Sequence, residues 1–191
     1  MKIYVLRHEK RYKDHTFFSE LILEGKEDAI KLKETLKELN IDEIYCSPYI
    51  RIIQTIEPYL KELKKYINIE YSLYECLTTD KNCDNIKNVS NEIVYGNKYY
   101  NNQYIPFLDS SKLKFGESYD DMKNRSMNFL INKIKNNKNC KKNILFVSHM
   151  STINCMLNRD PMEHYRQGLV TKIYDSDLTD SDNSNCFITL N

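Results

Sequence analysis

The 191-residue sequence has no tryptophan, only four glycines, four prolines and four histidines, and almost no net charge. A formal charge of +1 without a long basic stripe gives no support for a nucleic-acid partner. No apolar run approaches the roughly 20 residues of a membrane-spanning helix, so no membrane association is expected. We interpret the scarcity of glycine, proline and tryptophan as a bias of the source genome.

The cysteines show no pairing pattern. Six of them are scattered along the chain without a Cys-x-x-Cys spacing. Met1 and Lys2 lead directly into an apolar segment, which is not typical of a secretory signal. These features favour reduced thiols and a cytoplasmic protein. The length predicts one domain over residues 1–191, large enough to bury a proper core.

Short apolar runs alternate with helical patterns along the chain. Strands are predicted over residues 2–6, 43–46, 67–71 and 143–147, with a closing edge strand over 186–190. Helices are predicted over residues 29–39, 48–65, 118–134 and 151–157. This alternation predicts a layered α/β fold with a mainly parallel sheet. The segment 78–114 has poor periodicity and is predicted to form an irregular lid.

Local sequence also predicts how two helices begin. Ser47 followed by Pro48 is typical of an N-cap with proline at the first helical position. Ser118-x-x-Asp121 resembles a capping box at the start of a later helix. Pro58 falls inside the second helical pattern, where it predicts a kink or a split.

Two of the four histidines follow strand-like runs. Arg7-His8 ends the first apolar run, and His149 ends a later one. In open α/β sheets, ligands bind beyond the carboxyl ends of the strands. Arg51, one turn into the helix after Ser47, can point back toward the same edge. Two imidazoles and the planar forks of arginine together predict a phosphate site.

The residue types also indicate a reaction. A neutral imidazole on His8 can attack phosphorus in line and become a phosphohistidine. Arg7 and Arg51 can stabilise the loose transition state of phosphoryl transfer. Glu75 follows another strand-like segment and can reach the same crevice, first as an acid for the leaving oxygen and then as a base for water.

These motifs resemble those of the histidine phosphatase superfamily, which has a phosphoglycerate mutase-like fold. Its pattern is Arg-His-Gly after the first strand, Ser-Pro-x-x-Arg-x-x-x-Thr in the second βα unit, and a histidine after a late strand. The present sequence reads Arg7-His8-Glu9, Ser-Pro-Tyr-Ile-Arg-Ile-Ile-Gln-Thr over residues 47–55, and Ser148-His149-Met150. The resemblance implies a three-layer αβα sandwich.

Within this superfamily the chain most resembles the phosphatase domains of the TULA proteins and the insect ecdysteroid-phosphate phosphatases. The segments that carry this likeness are residues 45–48, 69–75, 105–106, 111–113, 117–126 and 143–149. The resemblance implies His8 as the phosphorylated nucleophile and Glu75 as the proton donor. It implies a phosphate pocket that needs neither metal nor cofactor, formed by Arg7, Arg51 and His149, with Arg11 and Met150 as further substrate-binding residues.

Three residues depart from the family pattern. Glu9 replaces the usual glycine and places a carboxylate beside the nucleophile, where it repels phosphate unless it turns outward. Met150 replaces a small residue, which narrows the pocket. Ile22 stands where a serine or threonine commonly caps the first helix.

Other functions stay open at this level. A phosphoglycerate mutase needs basic residues after the acid, and the stretch 77–113 has four lysines but no arginine. Because of Glu9, a second alternative stays open: a catalytically weak member of the superfamily that binds phosphorylated ligands or serves as an interaction module. A metal site from His8, Glu9 and His15 has nothing to define its geometry. The expected partner is a phosphorylated small molecule or a phosphotyrosine-type substrate, and a homodimer stays open.

Overall fold

The computed structural model describes residues 1–14, 16–76, 98–113, 116–137 and 140–177. Its elements are β1 (Lys2–Arg7), α1 (Leu23–Glu38), β2 (Glu43–Cys46), α2 (Ile50–Leu63), β3 (Asn68–Ile69), α3 (Tyr119–Asn137), β4 (Asn143–Ser148), α4 (Met150–Met156) and β5 (Val170–Asp175). Short 3-10 turns occupy Tyr71–Leu73 and Ser110–Lys112. None of the helices in these ranges is long and apolar enough to cross a membrane.

The strands form a mostly parallel sheet. Its order is β3-β2-β4-β1-β5, with β1, β2, β3 and β4 parallel and β5 antiparallel to β1. The predicted α/β class with a mainly parallel sheet is therefore confirmed. Strands β1 and β4 are adjacent although more than 130 residues separate them in the chain.

Alternating side chains of the strands build a core on each face of the sheet. From β1, Tyr4 and Leu6 pack with α1 and α2, whereas Ile3 and Val5 pack with α3 and α4. Buried side chains from the helices complete the two cores. Because both faces are covered by helices, the molecule has the three layers of an αβα sandwich.

The predicted start of α2 is wrong, and so is a split of the helix at Pro58. The helix begins at Ile50 with Tyr49 as its N-cap, not at Pro48, because the Ser47 side chain makes a tertiary hydrogen bond instead of capping. Pro58 does not split the helix, which continues to Leu63. The buried apolar stripe of α2 packs against the core on both sides of the proline and offsets its missing hydrogen bond.

Other helix ends agree better with the sequence. The capping box is confirmed, since the Ser118 amide donates to Asp121 at 3.0 Å and the Asp121 amide donates to the Ser118 hydroxyl at 3.1 Å. Ile22 is the N-cap of α1 and provides no side-chain hydrogen bond there, as expected.

The third predicted strand is shorter than expected. It covers only Asn68–Ile69, because the Glu70 carboxylate accepts the Ser72 amide and starts a 3-10 turn. The same carboxylate accepts the Tyr104 hydroxyl and the Phe107 and Leu108 amides, which anchors the described end of the predicted lid. The rest of that lid and the predicted strand 186–190 lie outside the described residues. The edge strand observed, Val170–Asp175, was not predicted.

Candidate active site

The register of the central strands brings the two candidate histidines together. Arg7 of β1 pairs with Ser148 of β4, so His8 and His149 follow side by side at the carboxyl edge of the sheet. Their ring centroids lie 5.6 Å apart. His8 is 3% exposed and His149 is fully buried. The sheet thus places both imidazoles in one dry crevice.

The His8 ring has a defined tautomer. Its Nδ1 lies 2.7 Å from the carbonyl oxygen of Glu9, and because a carbonyl only accepts, Nδ1 carries the proton. The Glu9 amide donates to the Thr55 hydroxyl at 3.0 Å, and that hydroxyl donates to the Arg51 carbonyl at 2.7 Å. Burial, followed by the charge of Arg51, lowers the pKa of His8 well below its ordinary value. The ring is therefore neutral and leaves Nε2 unprotonated.

His149 is also held in a neutral form. Its Nε2 lies 2.8 Å from the Ser47 hydroxyl, which can donate or accept, and its Nδ1 lies 3.4 Å from Nη2 of Arg51 and 3.5 Å from Oε2 of Glu75. Burial and the charge of Arg51 lower the pKa of His149 well below its ordinary value. The Tyr49 ring covers it, with centroids 4.7 Å apart.

Two arginines line the same crevice. Arg51 is 1% exposed, donates to the Thr16 carbonyl at 3.0 Å and lies 4.2 Å from the Tyr49 ring centroid. Arg7 donates to the Tyr165 carbonyl. Within the described ranges, the Nε atoms of both arginines are buried and lack a hydrogen-bond partner. The buried Arg51 and the half-buried Arg7, each with an unused Nε donor, are suited to an anion with several oxygens.

The Glu75 carboxylate completes the cluster. Its Oε2 accepts from Nη2 of Arg51 at 2.5 Å and lies 3.5 Å from Nδ1 of His149. The side chain is about one-third exposed, so this carboxylate lies where the cluster meets solvent. A carboxyl group at the mouth of a cationic crevice can exchange protons with both a bound ligand and water.

Arg125 on α3 holds the segment that carries Glu75. It forms a two-pronged ion pair with Glu117, at 2.9 and 2.6 Å, and both side chains are largely buried. Its remaining donors reach the carbonyls of Ser72 at 2.8 Å and Glu75 at 3.1 Å. One side chain thus ties two carbonyls of the Glu75 segment to α3.

Two hydroxyls support the same segment from below. Ser148 donates to the Leu73 carbonyl and Thr152 donates to the Tyr74 carbonyl, each at 2.7 Å. Sequence reasoning did not assign a role to any of these supporting residues. Nothing in their spacing indicates that they converge on one loop, because the contacts span 75 or more positions.

The Glu9 side chain turns away from the crevice. The charged groups that act on its carboxyl are Asp28, Lys10, Arg166 and Lys31, and none of them belongs to the histidine cluster. The Glu9 carboxylate therefore does not face a phosphate bound in the crevice, and the repulsion considered from the sequence is avoided. Because the Glu9 carboxylate and the His8 ring face different sides of the chain, the two cannot bind one metal ion together. The third candidate ligand, His15, lies outside the described residues.

Arg11 and Met150 border the cluster. The Arg11 side chain donates to the Tyr12 carbonyl at 2.6 Å, and its charge is among those that lower the pKa of both His8 and His149. Met150 begins α4, is half-buried and packs against the core formed with α3. Their assignment to substrate binding stays a prediction.

The fold and the crevice together define a class of protein. A mostly parallel sheet presents a neutral imidazole, a second imidazole, two arginines and a carboxylate at one edge. The sequence model of the histidine phosphatase superfamily (branch 1) matches residues 5–168, and the chain belongs to this superfamily.

Curated relatives agree with this assignment. Ubiquitin-associated and SH3 domain-containing protein B of mouse and of human are each 30% identical to the chain over 149 residues. The match covers 74% of this chain and 23% of those proteins, so the chain spans less than a quarter of their length.

Solved structures share the fold. The ecdysone phosphate phosphatase of Bombyx mori matches with a TM-score of 0.65 and 15% identity, over 92% of this chain and 90% of that one. The α-ribazole phosphatase of Shigella flexneri matches with a TM-score of 0.62 and 21% identity, over 91% and 90%. The resemblance to the TULA and ecdysteroid-phosphate phosphatase group is confirmed.

The neutral histidines predict a loss of stability in mild acid. Their pKa values are lower in the folded than in the unfolded chain, so below pH about 6.5 the unfolded chain binds protons that the folded chain excludes. Each should cost about 1.4 kcal/mol at pH 5.5 relative to pH 7.5. Urea titrations of His8→Gln and His149→Gln at both pH values should each show a smaller loss than wild type.

The exposed His164 provides the control, since His164→Gln should keep the wild-type pH dependence. Burial raises the pKa of Glu9, which changes stability in the opposite direction, but this contribution cancels between wild type and variants. Equal losses in wild type and both histidine variants would contradict neutral burial.

The Arg125–Glu117 pair predicts a strong energetic coupling. Arg125→Met should destabilise the fold by about 3–5 kcal/mol because it leaves the buried Glu117 carboxylate without its partner. Arg125→Met combined with Glu117→Gln should be more stable than Arg125→Met alone. Urea titration measures each variant, and Lys123→Met, exposed on the same helix, should change stability by less than about 0.5 kcal/mol. A double variant less stable than Arg125→Met would contradict this coupling.

Proposed function

We propose that the chain is a phosphomonoester hydrolase that works through a phosphohistidine on His8 without a metal ion. The observation that carries this proposal is the His8 ring itself. Its Nδ1 proton is engaged by the Glu9 carbonyl, its pKa is lowered, and Nε2 is left with a free lone pair. A buried, neutral and oriented imidazole is suited to nucleophilic attack.

In the first half of the reaction, Nε2 of His8 attacks phosphorus in line and the bond to the ester oxygen breaks. Glu75 gives its proton to the leaving oxygen, so an alcohol departs. A phosphate dianion that engages Arg51 replaces the carboxylate as the arginine's partner. It also puts negative charge beside Glu75, which favours the protonated carboxyl that this step requires.

In the second half, a water molecule attacks phosphorus and Glu75 takes its proton, while the phosphorus–nitrogen bond breaks. Inorganic phosphate leaves and His8 is neutral again. Arg7 and Arg51 hold the phosphoryl oxygens throughout, where positioned charge provides most of the catalysis. With the Ser47 hydroxyl as the donor to Nε2 of His149, the ring proton is on Nδ1, which donates to a phosphoryl oxygen.

The outward orientation of Glu9 favours an active enzyme over a catalytically weak binding module. The substrate class that we propose is a phosphorylated small molecule or a phosphotyrosine-type ester. The two matching solved structures are phosphatases named for chemically different compounds, ecdysone phosphate and α-ribazole.

The nucleophile is tested with p-nitrophenyl phosphate. His8→Ala should reduce metal-free turnover by about 10³-fold or more, because no other group can form the covalent intermediate. Rapid acid-free quenching with radiolabelled substrate should trap base-stable phosphoprotein from wild type and none from the variant. Circular dichroism verifies that the variant is folded, and equal turnover by the two proteins would refute the mechanism.

The acid is tested by varying the leaving group. Glu75→Gln should slow hydrolysis of an alkyl phosphate by about 10²–10⁴-fold but affect p-nitrophenyl phosphate much less, since nitrophenolate leaves without a proton. Glu57→Gln removes an exposed carboxylate of α2 and should leave both rates unchanged. A uniform loss across leaving groups would reject Glu75 as the proton donor.

A further inference from the structure

A second cavity lies next to the strand end that carries the nucleophile. It has a volume of about 450 Å³ and is lined by Glu9 and Lys10, by residues of α1, and by the loop 164–168. Its described lining includes none of the cluster residues His8, Arg51, Glu75 and His149. The cavity is therefore separate from the crevice described above, and the Arg7-His8-Glu9 backbone runs between them.

The Glu9 carboxylate lies at the floor of this cavity without a partner. The residue is 6% exposed, and among the described residues its side chain makes no hydrogen bond or ion pair. It rests against Gly168, where a Cβ atom would lie 1.8 Å from Oε1 of Glu9. Any larger residue at 168 would occupy the carboxylate's place. An unpaired buried carboxylate is costly, and burial together with Asp28 raises its pKa.

The other charges of the cavity are mostly engaged with one another. Lys10 pairs with Glu24 and Asp28, and Lys31 pairs with Asp28. Arg166 is exposed at the rim and has no ion pair within the described ranges. Its charge acts on the Glu9 carboxyl. Glu9 and Arg166 are thus the two charged side chains of the cavity that make no ion pair within the described ranges.

We propose that this cavity binds a small zwitterion whose ammonium group pairs with Glu9 and whose anionic end pairs with Arg166. An ammonium group supplies three donors to a carboxylate that has none. Both residues line the same cavity, so one small molecule can contact both. An ω-amino acid has this chemistry, and 4-aminobutyrate is a suitable probe.

Binding at this site is coupled to the catalytic pair through two backbone contacts. The Glu9 carbonyl accepts the Nδ1 proton of His8 at 2.7 Å. The loop that forms the other wall donates the Gly168 amide to the Arg7 carbonyl at 3.1 Å, and its Tyr165 carbonyl accepts from the Arg7 side chain. A ligand that pulls on Glu9 or on this loop therefore acts on the groups that hold His8 and Arg7. The effect on turnover, unlike the binding itself, rests on the proposed function.

The binding experiment uses the full chain and three probes: 4-aminobutyrate, butylamine and butyrate. Calorimetric titration of wild type should give a Kd for 4-aminobutyrate at least about tenfold below that of either single-charge probe, because only the zwitterion satisfies both groups. Glu9→Gln should weaken 4-aminobutyrate about tenfold or more and Arg166→Gln should do the same. Lys61→Gln, an exposed charge removal on α2, should leave its Kd unchanged.

Equal affinity for 4-aminobutyrate in wild type and Glu9→Gln, or no binding to wild type, would overturn the site. The coupling is measured by the ring-nitrogen resonances of His8, assigned with His8→Gln, which should shift when the probe is added to wild type. Unchanged resonances with measurable binding would refute the coupling and leave the site in place. Binding by a wild-type protein that lacks phosphatase activity would refute the proposed function and not the site.

Discussion

The parallel pairing of β1 with β4 is the constraint on which the site depends. Because Arg7 lies opposite Ser148, the next residue of each strand is a histidine, and both emerge at the carboxyl edge of the sheet. A shift of one residue would turn the alternating side chains of β1 to the other face and bury the wrong set. The two cores that enforce this register therefore also hold the distance between His8 and His149.

Burial and the nearby arginine charges both disfavour a positive charge on the imidazoles of the crevice, and both imidazoles are neutral. Burial, followed by the positive charge of Arg51, disfavours a protonated imidazole, so the pKa values of both histidines are lowered. Carbonyls of Thr16 and Tyr165 take up part of the donor capacity of the arginines. The remaining donors of the two arginines suit an anion, which connects the electrostatics of the crevice to the chemistry proposed for it.

Sequence reasoning recovered the fold class and the members of the cluster because each is attached to a local signal, a strand end or a helix start. It did not recover the supports of Glu75. Arg125, Ser148 and Thr152 act on carbonyls 50 or more positions away in the chain, and no periodicity marks such contacts. Ser47 is another example. Its sequence context predicts an N-cap, but its hydroxyl bonds to His149, which lies 102 positions away in the chain.

By itself, the sequence determined the alternation of strands and helices, the apolar faces that pack them, and the residues that stand at the strand ends. Only the tertiary structure decided the His8 tautomer and the direction of the Glu9 side chain. The reason is that a ring proton goes to the nitrogen that meets an acceptor, and a carboxylate goes where space and nearby charge allow. Both depend on neighbours that folding alone brings together, here the Glu9 carbonyl and Gly168.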